Sequence, residues 1–85
     1  MTPLLREFRA AACTATAEGT PFVEAHSMMC EFRDRGLSQA DALRVLRALR
    51  ASSKNEEVED RVLDLLDLAT GWCRASLRVW TSSPE

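Results

Sequence analysis

Helix start signals divide the chain into four segments. Thr2-Pro3 places a capping hydroxyl before a proline, which suits the first helical position because the N–H that proline lacks has no partner there. Thr20-Pro21 repeats this signal. Ser38 starts a third segment with Asp41 three residues later, as in a capping box, and Asn55 starts a fourth. The sequence therefore predicts four helices in succession.

Each segment repeats apolar residues at intervals of three and four, as one face of a helix requires. These stripes are Leu4, Leu5, Phe8, Ala12 and Ala15; Phe22, Ala25, Met29 and Phe32; Leu43, Leu46 and Leu49; and Val58, Val62, Leu65, Leu66 and Ala69. Gly19 and Gly36 are predicted to end the first two helices. Gly71 either ends the fourth helix or lies inside its continuation. We expect an all-α protein, a compact four-helix bundle with short loops, formed by residues 1–80 and followed by a flexible tail at 81–85.

The length and composition fit one globular domain. Eighty-five residues with 46% hydrophobic and 28% charged side chains argue against a disordered chain. The first residues do not resemble a signal peptide, and no stretch approaches the roughly 20 apolar residues of a membrane span. Three scattered cysteines do not form a disulfide framework, so we expect a cytoplasmic protein with reduced thiols. Because no apolar stretch is long enough to span a membrane, we also expect no membrane contact.

The fourth segment carries most of the negative charge. Residues 55–67 contain six acids and one arginine, a formal charge of −5, whereas residues 38–54 contain one acid and four bases, a formal charge of +3. Solubility alone is the ordinary explanation for a charged outer face. Carboxylates at this density also repel one another at a cost in stability, which favours a functional role. An acidic face of this kind steers a basic protein partner and orients it.

A basic stripe on the third segment suggests a different class of function. Arg44, Arg47 and Arg50 recur every three residues, and Lys54 follows them. Such a stripe can contact phosphates, so a small nucleic-acid-associated regulator is the alternative function. The neighbouring acidic helix would repel a duplex, and pairing of the stripe with Asp64 and its neighbours is the simpler explanation. We therefore do not expect nucleic acid as the main partner.

The cysteines and the single histidine do not form a recognisable catalytic or metal motif. His26 and Cys30 are four residues apart, and Cys13 and Cys73 are the other candidate ligands, but no CxxC or HxxxH pair occurs. All three cysteines are interpreted as small hydrophobic residues in packing positions. We expect no metal site, no cofactor and no enzymatic activity.

The two tryptophans have different predicted roles. Trp72 is expected in the core, against Phe8 or Phe32, whereas Trp80 is expected either in the core or half-exposed at a protein interface. If the exposed part of the segment from Trp72 to Trp80 is self-complementary, the chain forms a homodimer.

Three stretches resemble a known family: GLSQADALRVLRAL, EDRVLDLLDLATGWC and the closing RVW. Over about residues 35–80, the chain resembles the small all-helical immunity proteins encoded beside bacterial polymorphic toxins, including those of contact-dependent growth inhibition. The resemblance implies a cytoplasmic inhibitor that binds the toxic domain of one cognate toxin, often a basic nuclease. It carries over no individual contact residue, because such families vary most at their binding surfaces.

The charge pattern and the resemblance lead to the same expectation. The chain is expected to bind and neutralise a cognate, basic toxin domain through an acidic helical face. The predicted contact residues are Glu56, Glu57, Asp60, Asp64, Asp67 and Trp80.

Overall fold

The computed structural model describes residues 2–71 and 79–80. Four α-helices account for most of them: α1 is Pro3–Glu18, α2 is Phe22–Asp34, α3 is Gln39–Ala51 and α4 is Glu56–Thr70. No strand occurs in the described part of the chain. The predicted all-α four-helix fold with short loops is confirmed. The predicted tail at 81–85 lies outside the described residues.

Three of the four predicted helix starts are confirmed by side-chain caps. The side-chain oxygens of Thr2, Ser38 and Asn55 accept hydrogen bonds from the backbone N–H three residues on, at 3.3, 3.1 and 2.9 Å. The start predicted at Thr20-Pro21 is wrong by one residue, because α2 begins at Phe22 and no side chain caps it. Thr20 instead donates its backbone N–H to Ala15, so it completes the end of α1.

Glycines end α1 and α4 in the left-handed conformation. Gly19 has φ 70° and Gly71 has φ 86°, and Gly71 donates its N–H to the carbonyl of Asp67. Residues with a Cβ rarely adopt this conformation, so glycine is favoured at both positions. Of the two outcomes open at Gly71, the structure shows that it ends α4.

The core is formed by one face of each helix, together with Leu37 and Val79. Phe8 of α1 and Phe32 of α2 meet edge to face, with ring centroids 5.3 Å apart. The predicted stripe of α2 is wrong at one end, since Phe22 is 46% exposed. This residue lies in the first turn of α2, at the outer end of the stripe, whereas Ala25 and Met29 further along are buried.

The helices are not packed equally. α3 and α4 share the most extensive interface, α1 packs on both of them, and α2 makes smaller contacts with α1 and α4. Gln39 at the start of α3 donates to the carbonyl of Ala69 near the end of α4, so the two helices run antiparallel. None of the described helices is both long and apolar enough to cross a membrane.

Residues 79 and 80 fasten the corner between α2 and α3. Arg33 of α2 donates to the carbonyl of Val79 at 2.7 Å, and the indole N–H of Trp80 donates to the carbonyl of Leu37 at 3.0 Å. Val79 is fully buried and Trp80 is half-buried. Of the two roles predicted for Trp80, the structure thus shows packing against the core with part of the residue left accessible. Trp72 lies outside the described residues.

Candidate functional site: an acidic face on α4

Five carboxylates lie together on the outer face of α4. At about 100° per residue, they fall within an arc of about 100°. They are Glu56, Glu57, Asp60, Asp64 and Asp67, and all are exposed. The opposite side of the helix buries Val62, Leu65, Leu66 and Ala69. The packing of α4 therefore turns these five predicted contact residues outward as one surface, called here the acidic face.

The acidic face is almost unpaired. In the residues the structure describes, its one ion pair joins Glu57 to Arg61, with the nitrogen and oxygen 3.9 Å apart. A pair this long between exposed groups gains little energy in water. The carboxylates of Glu56, Asp60, Asp64 and Asp67 form no ion pair with any described residue. The face thus presents its charge to solvent.

Arg61, the single base of this helix, is used inside the molecule. It donates to the carbonyl of Thr16 at 2.8 Å and to that of Ala17 at 3.4 Å, both at the end of α1. The last carbonyls of a helix lack partners within the helix, and a cation there also interacts favourably with the helix dipole. Gly19 leaves room for this contact, because a Cβ there would lie 3.1 Å from the guanidinium carbon of Arg61. Arg61 therefore does little to neutralise the acidic face.

This role of Arg61 was not predicted, although the sequence contains a signal for it. Counted around the helix, Arg61 falls between the buried Leu65 and Leu68, on the side of α4 that faces the core. A lone arginine in that position is expected to donate hydrogen bonds to acceptors within the fold.

Trp80, the sixth predicted contact residue, belongs to a different part of the surface. It contacts the turn before α3, which lies near the end of α4 because Gln39 binds Ala69. Trp80 therefore lies toward the Asp67 end of the acidic face. Glu56 lies about 16 Å further along the helix axis, at 1.5 Å per residue.

The basic stripe, which runs along α3 and ends with Lys54 in the following turn, is exposed and forms no ion pair with the described residues. Arg44, Arg47, Arg50 and Lys54 are all exposed, and none forms an ion pair with another described residue. The expected pairing with Asp64 and its neighbours is therefore wrong. The antiparallel helices present opposite charges without neutralising each other.

The predicted positions of the cysteines are only partly correct. Cys30 is half-buried and packs on the core, with its sulfur 3.8 Å from Nδ1 of His26. Cys13 is exposed, so its assignment as a buried small hydrophobic residue is wrong, and Cys73 lies outside the described residues. No group of three or more potential metal ligands occurs among the residues whose positions are described.

A small cleft opens beside the acidic face, between α4, the end of α1 and the start of α2. Its volume is about 70 Å³. The residues that line it are Ala15, Thr16, Thr20, Phe22, Ala25, Arg61, Asp64 and Leu65. We call it the Phe22 cleft. With Val23, which is 75% exposed, Phe22 forms an apolar surface that the sequence analysis missed. The exposure of Val23 could have been predicted from the sequence, since Val23 lies on the side of α2 opposite Ala25 and Met29.

Comparisons of the chain with protein-family models, with characterised proteins and with solved structures give no significant match. The resemblance to immunity proteins therefore stays a prediction.

Proposed function

We propose that this protein is an immunity protein that binds and neutralises a cognate bacterial toxin domain through the acidic face of α4. The observation that carries the proposal is the set of five exposed carboxylates on one side of a rigid, capped helix, with only one weak ion pair between them and the described residues. A basic nuclease holds phosphates with cations, and an acidic helix competes for the same cations. Binding requires no cofactor and no enzymatic activity of the inhibitor.

Two further features support a protein partner. A helix fixes the backbone from which its side chains project, so little backbone conformational entropy is lost on binding. The exposed Phe22 lies beside Asp64, and the half-buried Trp80 lies toward the Asp67 end of the helix. Aromatic side chains supply much of the binding energy at protein interfaces. Charge would then determine the rate of association, and the aromatic contacts would slow dissociation.

The test reverses charge on the acidic face. The partner to use is the toxin domain encoded next to this gene, or a basic protein captured with the wild-type chain from the source bacterium. In surface plasmon resonance, Asp60→Lys with Asp64→Lys should slow association at least about tenfold, because electrostatic steering changes association rates by 10–10³. The double variant should also fail to protect cells that express the toxin.

A matched control separates local from overall charge. Glu18→Lys with Glu31→Lys changes the net charge equally, at exposed positions on α1 and α2. This control should bind and protect like the wild type, and circular dichroism should show both variants folded. Full protection by the α4 variant would exclude the acidic face as the binding surface. An equal loss of binding and protection in both variants would show that only the net charge matters.

A second function is favoured by the unpaired basic stripe of α3. Arg44, Arg47, Arg50 and Lys54 would contact phosphates, as in a small nucleic-acid-associated regulator. A fluorescence titration with duplex DNA at low salt tests this function. Binding should weaken with salt, with a logarithmic slope of about −0.9 for each phosphate contacted. Replacing Arg44 and Arg47 by Ala should reduce both affinity and slope, and the absence of binding at micromolar protein would exclude this function.

A further inference from the structure

The Phe22 cleft has the size and lining to hold part of one side chain. Its volume of about 70 Å³ is well below the 300–1,000 Å³ of pockets that hold small-molecule ligands. Ala15, Ala25 and Leu65 supply apolar walls, and nearly half of the surface of Phe22 is exposed at its edge. The cleft therefore suits the end of a side chain that a partner inserts.

The charges at the cleft favour a cation. Asp64 lines it with an exposed carboxylate that no described residue pairs. Arg61 also lines it, but its guanidinium donates to the end of α1 and lies near Glu57. A guanidinium entering the cleft would meet the Asp64 carboxylate and the Phe22 ring, while an anion would meet Asp64 and the adjoining acidic face.

We propose that the Phe22 cleft receives an arginine side chain of the protein partner. The alkyl stem would pack on Leu65 and Ala25, and the guanidinium would bind Asp64 beside the ring of Phe22. Arginine fits better than lysine because its planar group both stacks on aromatic rings and binds a carboxylate through two N–H groups. This inference rests on the proposed function and specifies one anchor within that interface.

A minimal probe tests the cleft without the toxin. Nuclear magnetic resonance of the ¹⁵N-labelled protein would follow titration with N-acetyl-arginine N-methylamide, using the citrulline analogue as an uncharged control of nearly the same shape. The arginine probe should give saturable shifts at the amides of Thr20, Phe22 and Asp64, and the citrulline probe should not. Equal shifts from both probes, or shifts spread evenly along α4, would overturn the proposal.

Two variants complete the experiment. Phe22→Ala should weaken binding of the arginine probe about two- to fivefold, as expected for an exposed cation–π contact. Val23→Ala removes a neighbouring, more exposed apolar side chain that does not line the cleft, and it should leave the affinity unchanged. Equal affinities for Phe22→Ala and wild type would exclude the ring contact.

The outcomes for the cleft and for the whole interface can be told apart. If the Asp60/Asp64 reversal abolishes toxin binding but the arginine probe does not bind the cleft, the acidic face functions without this anchor. If the probe binds the cleft but the reversal leaves toxin binding intact, the proposed function through α4 is wrong.

Discussion

At the scale of single residues, Arg61 decides how the acidic helix joins the rest of the molecule. It belongs to the helix with the highest negative charge, yet its guanidinium reaches the last carbonyls of α1, 45 residues earlier in the chain. The contact satisfies carbonyls that α1 cannot pair itself. It also leaves the carboxylates of α4 with only one long ion pair to this arginine, that of Glu57 at 3.9 Å.

We predict that Arg61→Ala lowers the free energy of unfolding by about 1–2 kcal/mol. This loss is smaller than the one expected on removing a fully buried charged hydrogen bond, because the Arg61 side chain is partly exposed. Arg61→Lys should lose less, since it keeps a cation at the end of α1 but not the planar donor group. Urea denaturation monitored by circular dichroism measures both values. Arg44→Ala is the matched control, because this exposed arginine forms no ion pair with a described residue. Equal effects of Arg61→Ala and Arg44→Ala would contradict the capping role.

At the scale of helices, α4 combines a strong start with internal repulsion. Asn55 caps it, and acids in the first turn interact favourably with the helix dipole. Further along, Asp60 lies four residues from both Glu56 and Asp64, and like charges at this spacing destabilise a helix by about 0.2–0.5 kcal/mol per pair. The sequence thus places like-charged pairs, which lower the stability of the helix, at the surface proposed to bind the toxin.

Salt should reveal this cost. Raising NaCl from about 20 mM to about 500 mM shortens the Debye length from roughly 20 Å to about 4 Å, so the repulsion is screened. We expect the free energy of unfolding to rise by about 0.5–1 kcal/mol. Asp60→Asn with Asp64→Asn should be more stable than the wild type at low salt and should respond less to salt. Thermal unfolding of both proteins across a salt series measures these changes in stability. A wild-type protein that salt destabilises would contradict the prediction.

The helices themselves could be predicted because their signals are local. Thr2, Ser38 and Asn55 each cap a turn that begins within three residues, and Gly19 ends a helix through its own φ. The exposure of Phe22 could not be predicted in the same way. Its position in the repeat matches that of the buried Met29, and how far the neighbouring helices cover it depends on their packing and not on a local pattern.

The candidate site could be predicted in part for the same reason. The carboxylates of α4 share a face because of their spacing alone, so Glu56, Glu57, Asp60, Asp64 and Asp67 are exposed together as expected. Their lack of partners depends on how α1 and α3 pack, since Arg61 turns to α1 and the α3 stripe stays apart. The Phe22 cleft requires three helices to meet, and no local pattern specifies such a meeting.

At the scale of the whole molecule, the fold carries opposite charges on two antiparallel neighbours. α3 presents Arg44, Arg47 and Arg50, with Lys54 just beyond its end, and α4 presents the acidic face, with no ion pair between the two sets in the described part of the chain. A molecule with separated charges orients itself in the field of a charged partner before contact. A basic toxin would therefore meet α4 first and be repelled by α3, so charge selects one docking orientation as well as the partner.

The bonds that fasten Val79 and Trp80 to the corner between α2 and α3 also set an order of assembly during translation. Trp80 follows its acceptor, Leu37, by 43 residues. At synthesis rates of about 5–20 residues per second, that interval takes about 2–9 s. During this time the growing chain has α2 but not the residues that hold its end in place. The corner between α2 and α3 is therefore fastened only after residue 80 has been added, when all of α4 has already been synthesised.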